Sequence, residues 1–167
     1  MGVKARPQKP SMAEKILAFF CNWVVTAPIC VTSGIFAFMI GNAILAVNSA
    51  GYLPANKSAA EGALGGLVLS PLVTIFSIID YCILRDDTDG RGWQFREWLL
   101  PTNRQIFACQ GLSVGAGVVG HAILGNGDFG YAIKASGTGM VIYTSGIYAI
   151  FFVCTCGSIF WKNRMRL

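Results

Sequence analysis

Residues 16–47 read ILAFFCNWVVTAPICVTSGIFAFMIGNAILAV, an unbroken stretch without Asp, Glu, Lys or Arg. A helix needs ~20 apolar residues to cross the hydrocarbon core of a bilayer, so this stretch takes lipid as its solvent. Three more stretches follow it. Residues 59–84, 106–124 and 137–161 contain only Glu61 and Asp80 as charged groups, both near segment ends. The expected fold is all-α: a polytopic membrane protein with four transmembrane helices, a single membrane domain over 1–167.

The charges outside these stretches set the orientation. Of 13 Lys and Arg residues, Lys4, Arg6, Lys9 and Lys15 precede the first span. Arg85, Arg91, Arg96 and Arg104 lie between the second and third, and Lys162, Arg164 and Arg166 follow the fourth. Only Lys57 and Lys134 fall between the other spans. The positive-inside rule then puts both termini in the cytoplasm. A sequence pI of about 9.0 reflects this topology and anionic headgroups, and gives no reason to propose nucleic acid as a partner. The first apolar run is too long for a signal h-region and shows no evident cleavage site, so it reads as a retained span.

At 1.5 Å per residue that run would measure ~48 Å as one helix, longer than the ~30 Å core. The expected solution is an N-terminal interfacial helix over 11–26, a break at Pro28, and a first span over 28–47, with Trp23 marking the interface. The other spans are 59–84, 106–124 and 137–161, joined on the cytoplasmic side by the connection 85–105. Pro71 falls in the middle of the second span, where Ser70 or Thr74 is expected to satisfy the carbonyl that proline leaves free. The connection begins with the acidic turn Asp86-Asp87-Thr88-Asp89-Gly90 and continues through Trp93 and Trp98, an aromatic and charged mixture suited to the headgroup level.

An internal repeat is visible. Gly41-Asn42-Ala43-Ile44-Leu45 and Gly51-Tyr52 match Gly120-His121-Ala122-Ile123-Leu124 and Gly130-Tyr131 at a constant offset of 79. Two tandem hairpins in the same orientation would follow, related by an axis along the membrane normal.

Chemistry-bearing residues are few. Asp80 is expected to pair with Arg85 or reach water, and Glu61 to be solvated at the outer end of the second span, helping its N-terminus. His121 is the single histidine. It reads as a hydrogen-bonded packing residue, the alternative being a cofactor ligand shared with a partner. One imidazole cannot supply a bis-histidine haem site, and the chain shows no ligand cluster for zinc or copper, so no catalytic, cofactor-binding or metal residues are expected in it. The 6 cysteines lie in or beside apolar segments, and all are read as buried and structural. Asn56-Lys57-Ser58 is a glycosylation sequon on the outer side, making Asn56 a candidate acceptor.

Small residues recur at helix-packing spacing: Gly111-x3-Gly115, Ser113-x3-Gly117 and Ala116-x3-Gly120 in the third span, Gly62-x3-Gly66 in the second. Helices in lipid associate through such close backbone approach. Together with Trp93 and Trp98, Gly111, Ser113, Gly115, Gly117 and Gly120 are the expected partner interface.

Leu112-Ser113-Val114-Gly115-Ala116-Gly117, then Ala122-Ile123-Leu124-Gly125, and Ser145-Gly146-Ile147-Tyr148 resemble the third and fourth spans of the light (alpha) chain of flavocytochrome b. That is the small membrane subunit of phagocyte-type NADPH oxidase. The resemblance covers about a third of the chain. Unlike that family's member, this chain has no proline-rich segment after the fourth span, and its outer loop between spans three and four reads as longer. The resemblance implies a noncatalytic subunit that stabilises a larger integral membrane catalytic subunit carrying haem and FAD, in the plasma membrane or endoplasmic reticulum. Two other readings stand beside it: an accessory subunit of a respiratory-chain complex, and a small membrane transporter or translocase component. Gly62-x2-Gly65-Gly66 through Phe76-Ser77-x2-Asp80-x-Cys82 is similar to the import-translocase family of mitochondria, whose later spans have no counterpart here.

Overall fold

The computed structural model describes residues 11–48, 53–85, 103–125 and 127–164. Among these residues are four helices: α1 (Met12–Asn48), α2 (Ala55–Arg85), α3 (Asn103–Leu124) and α4 (Phe129–Arg164). Three carry apolar stretches long enough to cross a membrane, Met12–Val47, Ala55–Phe76 and Phe129–Ser158, and α3 has the shorter apolar run Ala108–Leu124. Both short connections, α1 to α2 and α3 to α4, lie at one end of the bundle, called here the loop end.

Local chemistry fixes where the helices begin. Ser11 and Glu14 form a reciprocal capping box: Glu14 N donates to Ser11 Oγ and Ser11 N donates to Glu14 Oε2 at 2.7 Å. Such a box satisfies two of the first-turn amides. Asp128 caps α4, its Oδ1 accepting from Gly130 N at 2.7 Å, so α4 begins eight residues before the expected 137. Lys134 therefore sits on α4, and the connection expected to be long is short. In α2 the first backbone bond runs from Ser58 N to the Pro54 carbonyl, and Asn56 and Lys57 lie exposed in the first turn.

The expected break at Pro28 is absent: α1 is one helix of 37 residues with Pro28 inside it. Packing carries it through. Ala18, Asn22, Thr26, Cys30, Gly34, Phe38 and Asn42 are all buried, each four residues after the last. Thr26 and Thr74 hydroxyls lie 3.0 Å apart, and Trp23 Nε1 donates to Ser70 Oγ at 2.8 Å. Trp23 thus lies against the middle of α2 instead of marking an interface. In α2, Ser70 Oγ donates to Leu67 O at 2.7 Å. Leu67 is the residue whose carbonyl Pro71 cannot reach, so the expected satisfaction is realised by Ser70.

The tandem hairpins are built into the contacts. A Cβ at Gly41 would lie 1.7 Å from Ala135 O, and one at Gly139 would lie 1.6 Å from Ala37 O. The same arrangement recurs between α3 and α2, where a Cβ at Gly120 would meet Glu61 O and one at Gly65 would meet Ala116 O, both at 1.7 Å. Ala37 and Gly41 map onto Ala116 and Gly120 by the offset of 79, while Glu61 and Gly65 map onto Ala135 and Gly139 by 74. Each hairpin therefore sends its second helix against the first helix of the other. α1 and α3 touch at the centre, and α2 and α4 flank them without touching each other among the described residues. Cys30 and Cys109, themselves 79 apart, meet at the centre with their Sγ atoms 3.2 Å from one another.

Apart from Phe38 and Val73 the interior is mostly small and polar, and most large apolar side chains point outward. Phe20, Val24, Phe36, Phe76 and Ile133 are exposed, whereas Asn22, Ser33, Asn42, Ser58, Ser70, Ser113 and Ser136 are buried. That is the distribution expected when the surroundings are lipid, because hydrocarbon gives apolar side chains no reason to hide. α4 differs from the rest. Beyond Tyr143, which stacks on Phe36, its side chains through Ser158 are nearly all exposed.

Candidate functional site

Glu61 lies six residues after Ala55, the first residue of α2, ~9 Å along the helix axis from it. It shares an inward face with Ser58, Gly62 and Gly65, all buried. Close approach of Gly120 to the Glu61 carbonyl brings α3 against that face and places His121 beside the carboxyl group. His121 Nδ1 and Glu61 Oε2 are 2.8 Å apart. Glu61 is 0% exposed and His121 4%. The expectation of a solvated Glu61 is thus overturned: the residue faces the helix interface, and its partner is the chain's one histidine. His121 as a hydrogen-bonded packing residue agrees with this geometry.

The pair is incompletely satisfied. Glu61 Oε1 and His121 Nε2 are buried with no hydrogen-bond partner among the described residues. A buried polar atom without a partner costs ~1–3 kcal/mol. The cover over the imidazole is thin. A Cβ at Gly125 would lie 2.8 Å from Nδ1, and one at Gly127 would lie 2.7 Å from Nε2. A side chain at either position would have to displace the imidazole. The Phe129 ring meets the imidazole edge to face at 6.4 Å, closing the α4 side.

Asn42, the repeat counterpart of His121, does a different job. Its Nδ2 donates to Leu53 O at 2.8 Å, and its Oδ1 accepts from Leu53 N and from the Tyr131 hydroxyl. One hairpin thus uses the position to fasten its connection. The other uses it to hold an ionisable pair.

The expected interface residues separate by face. Ser113, Gly117 and Gly120 are buried within the chain; a Cβ at Gly117 would meet Ser136 Oγ and the Phe38 ring. Gly115 lies against Leu69 of α2. Gly111 is exposed with nothing near it, as are Gly146 and Gly157 on α4. Trp93 and Trp98 lie outside the described residues, as do the side chains of Asp80 and Arg85. Cys30 and Cys109 are buried as expected, but Cys154 and Cys156 are exposed, the end of α4 having no neighbour among the described residues. Among the described residues no group of three or more His, Cys, Asp or Glu side chains is placed to hold a metal ion. Sequence reasoning missed the Glu61–His121 pairing. Its signal was the spacing of Glu61 with Ser58 and Gly65, which puts the carboxyl group on the small-residue face.

Comparison with family models, with curated proteins and with solved structures finds no match.

Proposed function

We propose that this chain is a noncatalytic integral membrane subunit that binds and stabilises a larger, haem- and flavin-bearing catalytic subunit of a superoxide-generating NADPH oxidase, forming a heterodimer with it. Both termini are cytoplasmic in this reading. The resemblance of the third and fourth spans supplies the identity of the partner. The observation that carries the binding role is the second half of α4.

There Ile150, Phe151, Phe152 and Val153 are all at least 63% exposed, and Gly146 and Gly157 offer open notches. Thr155 and Ser158 turn their hydroxyls back onto the carbonyls of Phe151 and Thr155. The helix surface is therefore apolar all round, with gaps that let another backbone come close. Lipid would tolerate such a helix, but small residues at open positions are what helix–helix association in a bilayer uses. Gly111 on α3 belongs to the same class of open position.

A photoreactive side chain placed at Ile150 tests the reading. It is expected to join the chain to one larger membrane polypeptide, whereas the same group at buried Ala132 joins only segments of this chain. Lipid adducts alone at Ile150, and at the α4 positions around it, contradict the proposal.

A further inference from the structure

We propose that Glu61 and His121 form a proton-exchange site at the loop end of the bundle, one that trades protons with water past Gly125 and Gly127. This inference does not depend on the identity of any partner. Ionisable groups at membrane depth are expensive and persist for a purpose, and here two of them are bonded at 2.8 Å.

The geometry suits relay. An imidazole carries its proton on one nitrogen while accepting on the other, so a group with Nδ1 on a carboxylate and Nε2 directed elsewhere passes a proton across its ring. His121 Nε2 is that second nitrogen, buried and unpartnered among the described residues. Between it and the exterior stands Gly127, itself exposed and without a side chain, close enough that a Cβ there would lie 2.7 Å from Nε2. A hydronium ion arriving there gives its proton to Nε2 and leaves as water. The N–H bond at Nδ1 breaks as an O–H bond forms at Glu61 Oε2, and the reverse sequence returns the proton. Glu61 Oε1 remains as a second acceptor on the far side of the carboxyl group.

Few other charges bear on the pair. Lys57 lies one turn outward on α2, Asp128 and Lys134 lie on the α3–α4 connection and α4, and all three are exposed. α1 contributes no charged residue between Lys15 and Asn48.

Because His121 is the only histidine, histidine-selective 15N labelling of the full chain in lipid nanodiscs gives a single imidazole to observe. The proposal expects its ring nitrogens to respond to bulk pH and its Nε2 proton to exchange with deuterated water within seconds. It also expects Glu61→Gln to slow that exchange by more than about tenfold, as loss of a proton-transfer partner does. Should Glu61→Gln fail to fold, the exchange rate of the unmodified chain decides by itself. A ring indifferent to bulk pH, with a proton retained for hours in deuterated water, overturns the proposal. So does unchanged exchange in folded Glu61→Gln.

Discussion

At the scale of single residues, the Glu61–His121 pair holds the greatest stake. Removing one member of a buried pair leaves the other unpaired in a low dielectric, a loss of ~3–5 kcal/mol, whereas replacing both with apolar groups of similar volume is near neutral. His121→Ala is therefore expected to lower the midpoint of thermal unfolding in detergent sharply, and Glu61→Met combined with His121→Leu to recover most of it. The glycines at crossing points are equally demanding. Gly41→Leu and Gly120→Leu drive a side chain into a neighbouring backbone carbonyl and are expected to abolish accumulation of folded chain; Gly111→Leu, with open space before it, leaves folding unchanged. Gel filtration of the purified variants distinguishes these outcomes. That Glu61 is buried was legible only in part. Distance along the chain from the span's edge places Glu61 near water, but α2 begins four residues before the expected 59, and the face a residue occupies counts for more than its distance from an end.

At the scale of elements, the four apolar helices among the described residues and their order were readable, because length and the lack of charge decide both in lipid, whereas the separate interfacial helix over 11–26 was not found. Their faces and breaks were harder to read. In water an amphipathic helix shows its inner face as an apolar stripe; here both faces are apolar, and the inner one is marked by small and hydroxylated residues. The buried residues of α1 advance in four-residue steps, which outrun the 3.6 residues of a helical turn. The stripe therefore winds around the helix, facing α2 near Thr26 and α4 near Gly41. Continuous packing along that stripe is why Pro28 does not end α1. It also makes Ser70 the most consequential hydroxyl of α2, since it serves both the Leu67 carbonyl and the Trp23 indole. Ser70→Ala leaves both without a partner and is expected to cost ~1–3 kcal/mol per orphaned group, read as a lower unfolding midpoint. Pro71→Ala, which restores an ordinary helix bond, is expected to make Ser70→Ala less harmful. Equal losses with and without Pro71 contradict the assignment of the Leu67 carbonyl to Ser70.

At the scale of the whole molecule, the repeat in the sequence becomes two hairpins, each packing its second helix against the other's first. Cys30 and Cys109 sit where they meet. Iodine, which enters lipid, converts two thiols to a disulfide with release of two iodides and two protons. With a protease site inserted in 86–102, iodine treatment is expected to hold the two halves together without reductant, and Cys30→Ser to free them. Halves that separate regardless contradict the parallel placement of α1 and α3. The same architecture leaves the far half of α4 facing outward, and under the proposed function that surface is where the partner binds. Affinity purification of the full chain from its own membranes in mild detergent, with a visible spectrum of the eluate, tests this most directly. The account predicts a larger membrane polypeptide in equimolar amount, bringing the absorption of haem with it. A chain that elutes alone, without a haem spectrum, contradicts it.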